Sequence, residues 1–584
     1  MGSVYSFWNS GYAAGIYEPM RALVFMLGGL ALLPLRNSAA PVPAGEPPPR
    51  AIRPALGTIN AGELLRNIKV LASEDFEGRA PASRGEEQTI NWLTEQFRAL
   101  GLRPGNPDGS WVQEVPLVGI TAENRAAGFK VAGSELVPKM PEDCVVWSKR
   151  LVPEVSVQDS EVVFAGYGVE APEYGWDDFK GAELRGKTIL VLINDPQVPD
   201  PIDAGRLDAS MFKGRAMTYY GRWTYKFEEA ARKGAAAAII VHEQALAGYP
   251  WGVVVDSNSK ENFDLQAPDK NLSRTAIEGW LTEEWAGKLC AAAGFDFQTL
   301  KQRATSKDLK PIPLGLKASF SVKNKIRQAT SRNFVARLEG SSGRLREQQV
   351  IYTAHWDHLG RDAGLPGDPV YHGAVDNASG VAGLIELARA FRKLSLPPKR
   401  SILFLSVTAE EKGLLGSRYY AAHPPYPLAN TVADLNMDGL NVWGRTADVQ
   451  VIGAGNSTLE DLLGRAAAAQ GRVLEPEDTP ERGYFFRSDH FEFVKVGVPA
   501  LYFKSGTNYL GKPPDFGVRK AEEFVTRSYH KPGDNVQPDW DLSGAVEDLR
   551  LLFQVGWNVA QSSVRPMWKP GSEFKANAPI PRSP

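Results

Sequence analysis

Residues 351–360 have the sequence Ile-Tyr-Thr-Ala-His-Trp-Asp-His-Leu-Gly, and they decide the fold prediction. The first four are apolar, aromatic or β-branched and predict a buried strand. The strand ends in His355 and His358, one on either side of Asp357. Open α/β sheets place their chemistry at strand ends and in the loops that follow. Because histidine and aspartate both bind zinc, this strand end is a candidate metal site.

Three further segments present acidic residues in a similar position. The glycine-bounded loop 373–380 carries Asp376 and leads into an amphipathic segment, while apolar runs precede Glu410 and Asp438. Taken singly, glutamates also suit a solvated helix start, and an aspartate before glycine suits a turn. Taken together with the histidines, they form a set that suits two metal ions about 3.5–4 Å apart. The five candidate ligands are His355, Asp376, Glu411, Asp438 and His530.

From residue 333 onward, candidate strands alternate with candidate helices. Strands are predicted at 333–338, 348–354, 401–408, 431–436, 448–453 and 498–503. Helices are predicted at 379–394, 412–422, 458–471, 489–495 and 542–563. This alternation predicts an α/β fold with a mixed sheet covered by helices on both faces, a three-layer αβα arrangement.

The segment before residue 333 divides into two parts with different secondary-structure patterns. Helical periodicity at 59–71 and 87–100 is followed by a strand pattern at 110–118. Between about 146 and 314, strand-like runs separated by Gly, Pro and Asp turns dominate, with one helix at 226–233. We interpret this second part as a β-rich domain inserted into another domain.

Composition excludes some classes of protein and of site. The net charge of −2 and the absence of any Lys/Arg run argue against nucleic-acid binding. Cys144 and Cys290 are the only cysteines, so they form either one disulfide or two buried thiols, and no cysteine-rich metal site.

The N-terminus carries the one targeting signal. Met20-Arg21 precedes an apolar run from Ala22 to Leu35, small residues and a Pro-rich stretch. This order is typical of a secretory signal peptide, with translation starting at Met20, and the run is short for a membrane span. The prediction is an exported protein, periplasmic or secreted, with no stable membrane span after cleavage; a frayed apolar helix is the alternative.

A family resemblance is carried by six segments, in this order: residues 354–360, 373–380, 409–416, 436–438, 487–490 and 529–530. These segments resemble the M28 family of zinc peptidases. The inserted segment resembles a protease-associated (PA) domain through residues 165–169, 187–192 and 230–235. The resemblance implies the start of the peptidase domain at 41–145, a PA-like domain at 146–314 and a catalytic core at 315–563. The residue pattern adds a signal peptide at 1–40 and a Pro-rich C-terminal tail at 564–584.

The resemblance also implies a ligand set. One zinc ion would take His355, Asp376 and Asp438, and the other would take Asp376, Glu411 and His530, so that Asp376 bridges two Zn²⁺. Cobalt or manganese in place of zinc stays an alternative. The peptide bond after Asp376 is expected to be cis.

Further roles follow for the neighbouring residues. Glu410 would be the general base, and Asp357 would orient His355 through its second ring nitrogen. Tyr529 is either a donor to the developing oxyanion or a core aromatic. His358 and His490 are expected either to be structural or to support the ligands from behind, because the five ligand places are filled.

The resemblance implies a peptide substrate. The expected activity is that of an aminopeptidase. Residues 484–487, Tyr-Phe-Phe-Arg, either line a pocket for an apolar N-terminal residue or pack under the sheet. A carboxypeptidase, a glutaminyl cyclase-like enzyme with one zinc and a non-catalytic binding protein are the alternatives, and the oligomeric state stays open.

Overall fold

The structure is a computed structural model that describes residues 47–575. The predicted signal peptide at 1–40 and the tail beyond residue 575 lie outside the described residues. Within residues 47–575, no helix combines the length and the apolar content that a bilayer crossing requires.

Most strands of the described residues belong to one large sheet. The strands are β1 Arg103–Pro104, β2 Val112–Val131, β3 Ser134–Leu136, β4 Cys144–Trp147, β5 Glu154–Phe164, β6 Glu170–Ala171, β7 Trp176–Asp177, β8 Thr188–Leu192, β9 Ala237–His242, β10 Asn262–Leu265, β11 Ile277–Thr282, β12 Ile312–Leu338, β13 Gln349–His355, β14 Ser401–Val407, β15 Thr431–Asn436, β16 Asp448–Val451, β17 Val473–Pro476 and β18 Ala500–Ser505.

The helices flank this sheet. They are α1 Arg53–Leu56, α2 Ala61–Leu71, α3 Arg84–Ala99, α4 Trp223–Arg232, α5 Gln244–Ala247, α6 Trp251–Ser259, α7 Glu283–Ala292, α8 Phe297–Ala304, α9 Gly380–Arg392, α10 Leu415–Ala422, α11 Leu459–Ala469, α12 His490–Lys495, α13 Phe516–Arg527 and α14 Ser543–Gln561.

The C-terminal half of the sheet is mixed, as the alternation predicted. Its order is β17-β16-β18-β15-β13-β14-β12. Strand β13 pairs in parallel with β14 and β15, and β15 pairs in parallel with β18. Strand β12 runs antiparallel to β14, and β16 runs antiparallel to β18. The strands predicted at 348–354, 401–408, 431–436, 448–453 and 498–503 are present within a few residues of their predicted bounds, whereas the strand predicted at 333–338 is only the end of β12, which begins at Ile312.

Helices cover both faces of these strands. On one face, Tyr352 and Phe404 belong to a core cluster that includes residues of α2, α3, α9 and α14. On the other face, Ile351 and Leu403 pack with Tyr420 of α10 and with residues of α12. Successive side chains of one strand point to opposite faces, and every residue of β13, β14 and β15 is buried, so these strands are covered on both sides. This arrangement confirms the predicted three-layer α/β fold.

Strand β12 joins this half of the sheet to the segment predicted as an insertion. Its end from Phe334 to Leu338 pairs with β14, whereas its beginning pairs with β5. Beyond β5 the sheet continues through β8, β9, β11 and β4, with two further core clusters. The predicted boundary at residues 314/315 therefore falls inside a strand, and β10, from within 146–314, pairs with β2. Both cysteines are buried free thiols, so the disulfide alternative is not realised.

Candidate metal centre

Three neighbouring strands end at the same edge of the sheet. His355 is the last residue of β13, Glu410 and Glu411 follow β14, and Asp438 follows β15. Because β13 lies between β14 and β15 and is parallel to both, the three carboxyl ends meet. This is the edge at which open α/β sheets bind ligands.

Asp376 reaches the same place from the turn that precedes α9. Its own N–H and that of Val375 donate to the carboxylate of Asp534, at 2.9 and 3.0 Å. The Asp376–Asn377 peptide bond is cis, as the resemblance implied. Asp534 thus holds the loop that carries Asp376, a positioning contact that the sequence analysis missed.

All five predicted ligands lie together in the structure, with Asp376 between the two histidines. His355 Nε2 is 3.3 Å from Asp376 Oδ1 and 3.4 Å from Asp438 Oδ1. His530 Nε2 is 3.4 Å from Asp376 Oδ2 and 3.0 Å from Glu411 Oε2. Each oxygen of Asp376 therefore faces a different imidazole.

His358 is closer to the cluster than expected. Its Nδ1 lies 2.6 Å from Glu411 Oε1, and the residue is fully buried. Its Nε2 is buried without a hydrogen-bond partner. His358 therefore contacts a predicted ligand, which is one of the two roles expected for it. His490, by contrast, lies beside Asn436, and burial lowers its pKa to about 3.

Asp357 supports the cluster in a different way from the one predicted. The Nδ1 of His355 lies 3.1 Å from the main-chain carbonyl of Asp357 and 3.8 Å from its carboxylate. The carboxylate instead accepts from the main-chain N–H groups of Glu410 and Glu411, at 3.0 and 3.4 Å. One residue thus positions both the imidazole and the adjacent glutamates.

The two adjacent glutamates have different surroundings. Burial, together with Asp438 and Glu411, raises the pKa of Glu410 well above its usual range, although His355 opposes the shift. Burial also acts to raise the pKa of Glu411, but His530 and His358 outweigh it and bring that pKa down to about 2. Glu411 is thereby favoured as an anion in contact with imidazoles, and Glu410 as the carboxyl group that can take up a proton.

The donor set fits a metal ion. Groups of three ligand atoms, all within 4.8 Å of one another, occur at His355–Asp376–Asp438, His355–Glu410–Glu411 and His358–Asp376–Glu411. Imidazole nitrogens and carboxylate oxygens are ordinary zinc ligands. Several carboxylates buried around one point also need compensating positive charge. These residues can therefore hold a metal.

Arg79 is a second positioning residue that the sequence analysis missed. It is fully buried and donates to the carbonyl oxygens of Leu71, Trp356, His372 and Gly373, at 2.6–2.9 Å. Burial lowers its pKa to about 10. Its guanidinium joins the helical opening to the segments that carry His355 and Asp376.

Replacing Arg79 with methionine is expected to lower the free energy of unfolding by at least about 3 kcal/mol, because buried carbonyls lose a charged donor. The variant should also bind zinc more weakly. Urea unfolding with and without chelator measures both effects. The matched control is Arg84→Met, whose guanidinium is 69% exposed and pairs with Glu77 at 3.2 Å. Arg84→Met should change the free energy of unfolding by no more than about 1 kcal/mol. Equal losses of stability in both variants would contradict the positioning role of Arg79.

A cavity of about 230 Å³ opens onto the cluster. Residues of the 146–314 segment line one side, and residues of the C-terminal half line the other. Tyr529 lies in its wall and stacks on His530, with ring centroids 3.9 Å apart. Lining residues include Trp147, Tyr219, Arg222, Tyr249 and Trp280 from the first side, and Glu410, Glu411, Phe486, Arg487, Tyr529 and His530 from the second.

The aromatic run at 484–487 combines the two arrangements considered from the sequence. Phe485 packs into a core cluster with Phe491 and Phe574. Phe486 belongs to the same cluster but also lines the cavity, as does Arg487. Residues 484–487 therefore contribute both to a hydrophobic core cluster and to the wall of the cavity.

A comparison with protein families assigns this part of the chain. The family model described as peptidase family M28 matches residues 333–554. Over these residues the chain is similar to peptidase family M28. The matched residues include every predicted ligand and the general base candidate, whereas Arg79 and the whole of the 146–314 segment lie outside them.

Curated relatives match over similar lengths. The chain is 26% identical over 196 residues to "Aminopeptidase YwaD" of Bacillus subtilis (strain 168), covering 33% of this chain and 37% of that protein. It is 28% identical over 218 residues to "Leupeptin-inactivating enzyme 1" of Streptomyces exfoliatus, covering 36% and 47%. The chain thus spans less than half the length of these relatives.

Solved structures were also compared. The chain resembles "Aminopeptidase from Aneurinibacillus sp. strain AM-1" with 18% identity and a TM-score of 0.47, covering 90% of this chain and 98% of that chain.

Proposed function

We propose that the chain is a two-zinc aminopeptidase that removes residues from the N-termini of peptides. The observation that carries this proposal is the position of Asp376, whose two oxygens face the imidazoles of His355 and His530 at 3.3 and 3.4 Å. A carboxylate placed in this way suits a bridge between two metal ions. The names of the curated relatives support a peptidase activity.

The proposed ligands divide into two groups around the bridge. His355, Asp376 and Asp438 would hold one zinc ion, and Asp376, Glu411 and His530 would hold the other. His358 and the main chain of Asp357 keep ligands in place through Glu411 and His355. Bound zinc supplies a Lewis acid for the scissile carbonyl and makes a nearby water more acidic.

The chain's own residues would then carry the proton transfers. Glu410 would take a proton from the attacking water and deliver it to the leaving amine. Its raised pKa, which burial causes first, suits a group that must hold a proton for part of the cycle. Tyr529, in the cavity wall beside His530, would donate a hydrogen bond from its hydroxyl to the developing oxyanion.

The surroundings of the cluster support a short or unfolded substrate. The 146–314 segment, which we propose to be a PA-like domain, forms one wall of the cavity and leaves limited room. The aromatic lining of Tyr219, Tyr249 and Phe486 favours an apolar first residue. The signal peptide predicted from the sequence supports export of the enzyme.

Zinc content and the need for a free N-terminus test this proposal together. We expect about two zinc ions per chain after dialysis. Leucine-initiated tripeptides with a free N-terminus should be hydrolysed from that end, and their acetylated counterparts should stay intact, in an assay that separates products chromatographically. Equal cleavage of acetylated peptides would contradict an aminopeptidase, and release from the C-terminus would indicate a carboxypeptidase. Cyclisation of glutaminyl peptides with one zinc would indicate the cyclase-like alternative.

A further inference from the structure

A second group of metal-ligand side chains lies apart from the candidate metal centre. Glu74, Asp368 and His372 present three ligand atoms that all lie within 4.8 Å of one another. Asp368 and His372 belong to the connection between β13 and α9, whereas Glu74 belongs to the segment that follows α2. None of the three residues is a predicted ligand of the candidate metal centre, and none lines the cavity described above.

The imidazole of His372 is held in a fixed orientation. The residue is buried, and its Nδ1–H donates to the carbonyl oxygen of Ala72, 2.7 Å away. Its own carbonyl oxygen accepts from the guanidinium of Arg79 at 2.8 Å. Because a carbonyl oxygen can only accept, the proton on Nδ1 is fixed and Nε2 is the nitrogen available for a further bond. Metal-binding histidines are usually oriented in this way, with the other ring nitrogen donating to an oxygen.

Asp368 is oriented towards this nitrogen. Its Oδ1 accepts from the main-chain N–H of Val370 at 2.9 Å, and its Oδ2 lies 2.7 Å from Nε2 of His372. Because both atoms carry lone pairs, a cation has to lie between them, either a proton or a metal ion. Two tetrahedral zinc ligands lie about 3.4 Å apart. The side chain of Asp368 is 40% exposed, so it has room for this small movement.

No lysine or arginine neutralises the two carboxylates. Within residues 47–575, neither Glu74 nor Asp368 forms an ion pair with such a side chain, and Asp368 has only its contact with the imidazole. The two segments are also packed tightly, since a Cβ at Gly78 would lie 2.6 Å from the carbonyl oxygen of Tyr371. The three side chains therefore form a negatively charged site on closely packed segments, which favours a bound cation.

We propose that Glu74, Asp368 and His372 bind a zinc ion that is separate from the ions of the candidate metal centre. One imidazole nitrogen and two carboxylate oxygens are ordinary zinc ligands, and water would fill the fourth position. Calcium and magnesium prefer oxygen ligands alone, so they fit this set less well. The ion would join the segment after α2 to the connection that leads to Asp376. This proposal goes beyond the peptidase function and does not depend on it.

Zinc titration of the dialysed protein tests the site. Two of the three ligands are exposed side chains that lose conformational freedom on binding, so this ion should bind more weakly than those of the candidate metal centre and leave on dialysis. Calorimetric titration should then show one further zinc ion per chain, and titration with calcium should show no comparable binding. A protein that binds no zinc beyond the ions retained after dialysis, or that binds calcium in its place, would overturn the proposal.

Variants assign the further ion to the three side chains. Glu74→Gln and Asp368→Asn keep the size of two exposed side chains, and each should weaken binding of the further zinc ion at least about 10-fold. The matched control is Asp75→Asn, which removes an exposed carboxylate next to Glu74 that is not part of the group. Asp75→Asn should bind zinc like the wild type. Equal zinc binding in all three variants would overturn the assignment.

Thermal unfolding and crystallography give two independent readouts. Added zinc should raise the melting temperature of the dialysed wild type and of Asp75→Asn, but not that of Glu74→Gln or Asp368→Asn, because an ion that binds only the folded state stabilises it. The two variants lie on different segments, so one still tests the site if the other loses stability without zinc. Anomalous scattering at the zinc edge should locate the ion beside Nε2 of His372, and a signal at the candidate metal centre alone would overturn the proposal. If the further ion binds but no peptide is hydrolysed, only the peptidase function fails.

Discussion

Alanine at position 376 is expected to remove both zinc ions and peptide hydrolysis together. The two oxygens of Asp376 face the imidazoles of His355 and His530, one from each proposed ligand group. Without it, one group keeps only His355 and Asp438, and the other keeps only Glu411 and His530. Zinc sites in enzymes usually have three protein ligands, so neither remainder suffices. The rate of peptide hydrolysis should fall by at least about 10³-fold. Replacing a residue that only supports a ligand typically costs less, about 10–100-fold.

Zinc per chain, measured by elemental analysis at limiting free zinc, checks this expectation alongside hydrolysis of a leucine peptide. Asp362→Ala is the matched control, since Asp362 lies in the same long connection and pairs with Lys260 at 2.9 Å, away from the cluster. Thermal unfolding of both variants in chelator should match the metal-free wild type, which separates metal loss from misfolding. One zinc ion retained at full occupancy in Asp376→Ala would show that this carboxylate does not bridge.

The sequence predicted the ligand set because its signal is local. His355, Glu411 and Asp438 lie at the ends of strands rich in apolar residues and Asp376 lies in a glycine-bounded loop, whereas His530 follows α13. Parallel strands with similar patterns end at one edge of a sheet. The C-terminal fold was predictable for the same reason, since β13, β14 and β15 are rich in apolar residues and buried throughout. Helix α13 was not predicted from the sequence, and of its residues only Gly517 is buried.

The supporting contacts were not predictable because they depend on tertiary structure. Arg79 donates a hydrogen bond to the carbonyl oxygen of Trp356, 277 residues away in the chain, and no sequence pattern near residue 79 indicates that contact. The contact of His358 with Glu411 depends on the turn after β14, which the sequence does not define. The boundary expected at 314/315 falls inside β12 because one strand can pair with different partners along its length, without a turn between them.

Glu410→Gln is expected to lower kcat by about 10²–10⁴-fold while both zinc ions and KM are retained. The amide keeps the size of the side chain but cannot take up a proton. Glu410 Oε2 is 4.0 Å from His355 Nε2, farther than the carboxylates of Asp376 and Asp438, so its loss should leave the ligand set intact. Steady-state kinetics on a leucine peptide measure kcat and KM, and elemental analysis of the same preparation measures the zinc content.

Glu411→Gln provides the contrast that decides between the adjacent glutamates. Glu411 lies 2.6 Å from His358 and 3.0 Å from His530, so its replacement should cost zinc as well as rate. Loss of zinc in Glu410→Gln would instead make Glu410 a ligand. The spacing of His355, Glu410 and Glu411 would also accommodate a metal, so this result is structurally possible. In that case the proton acceptor must be another group, and Asp489, buried and bonded to Ser417 at 2.6 Å, becomes the residue to replace next.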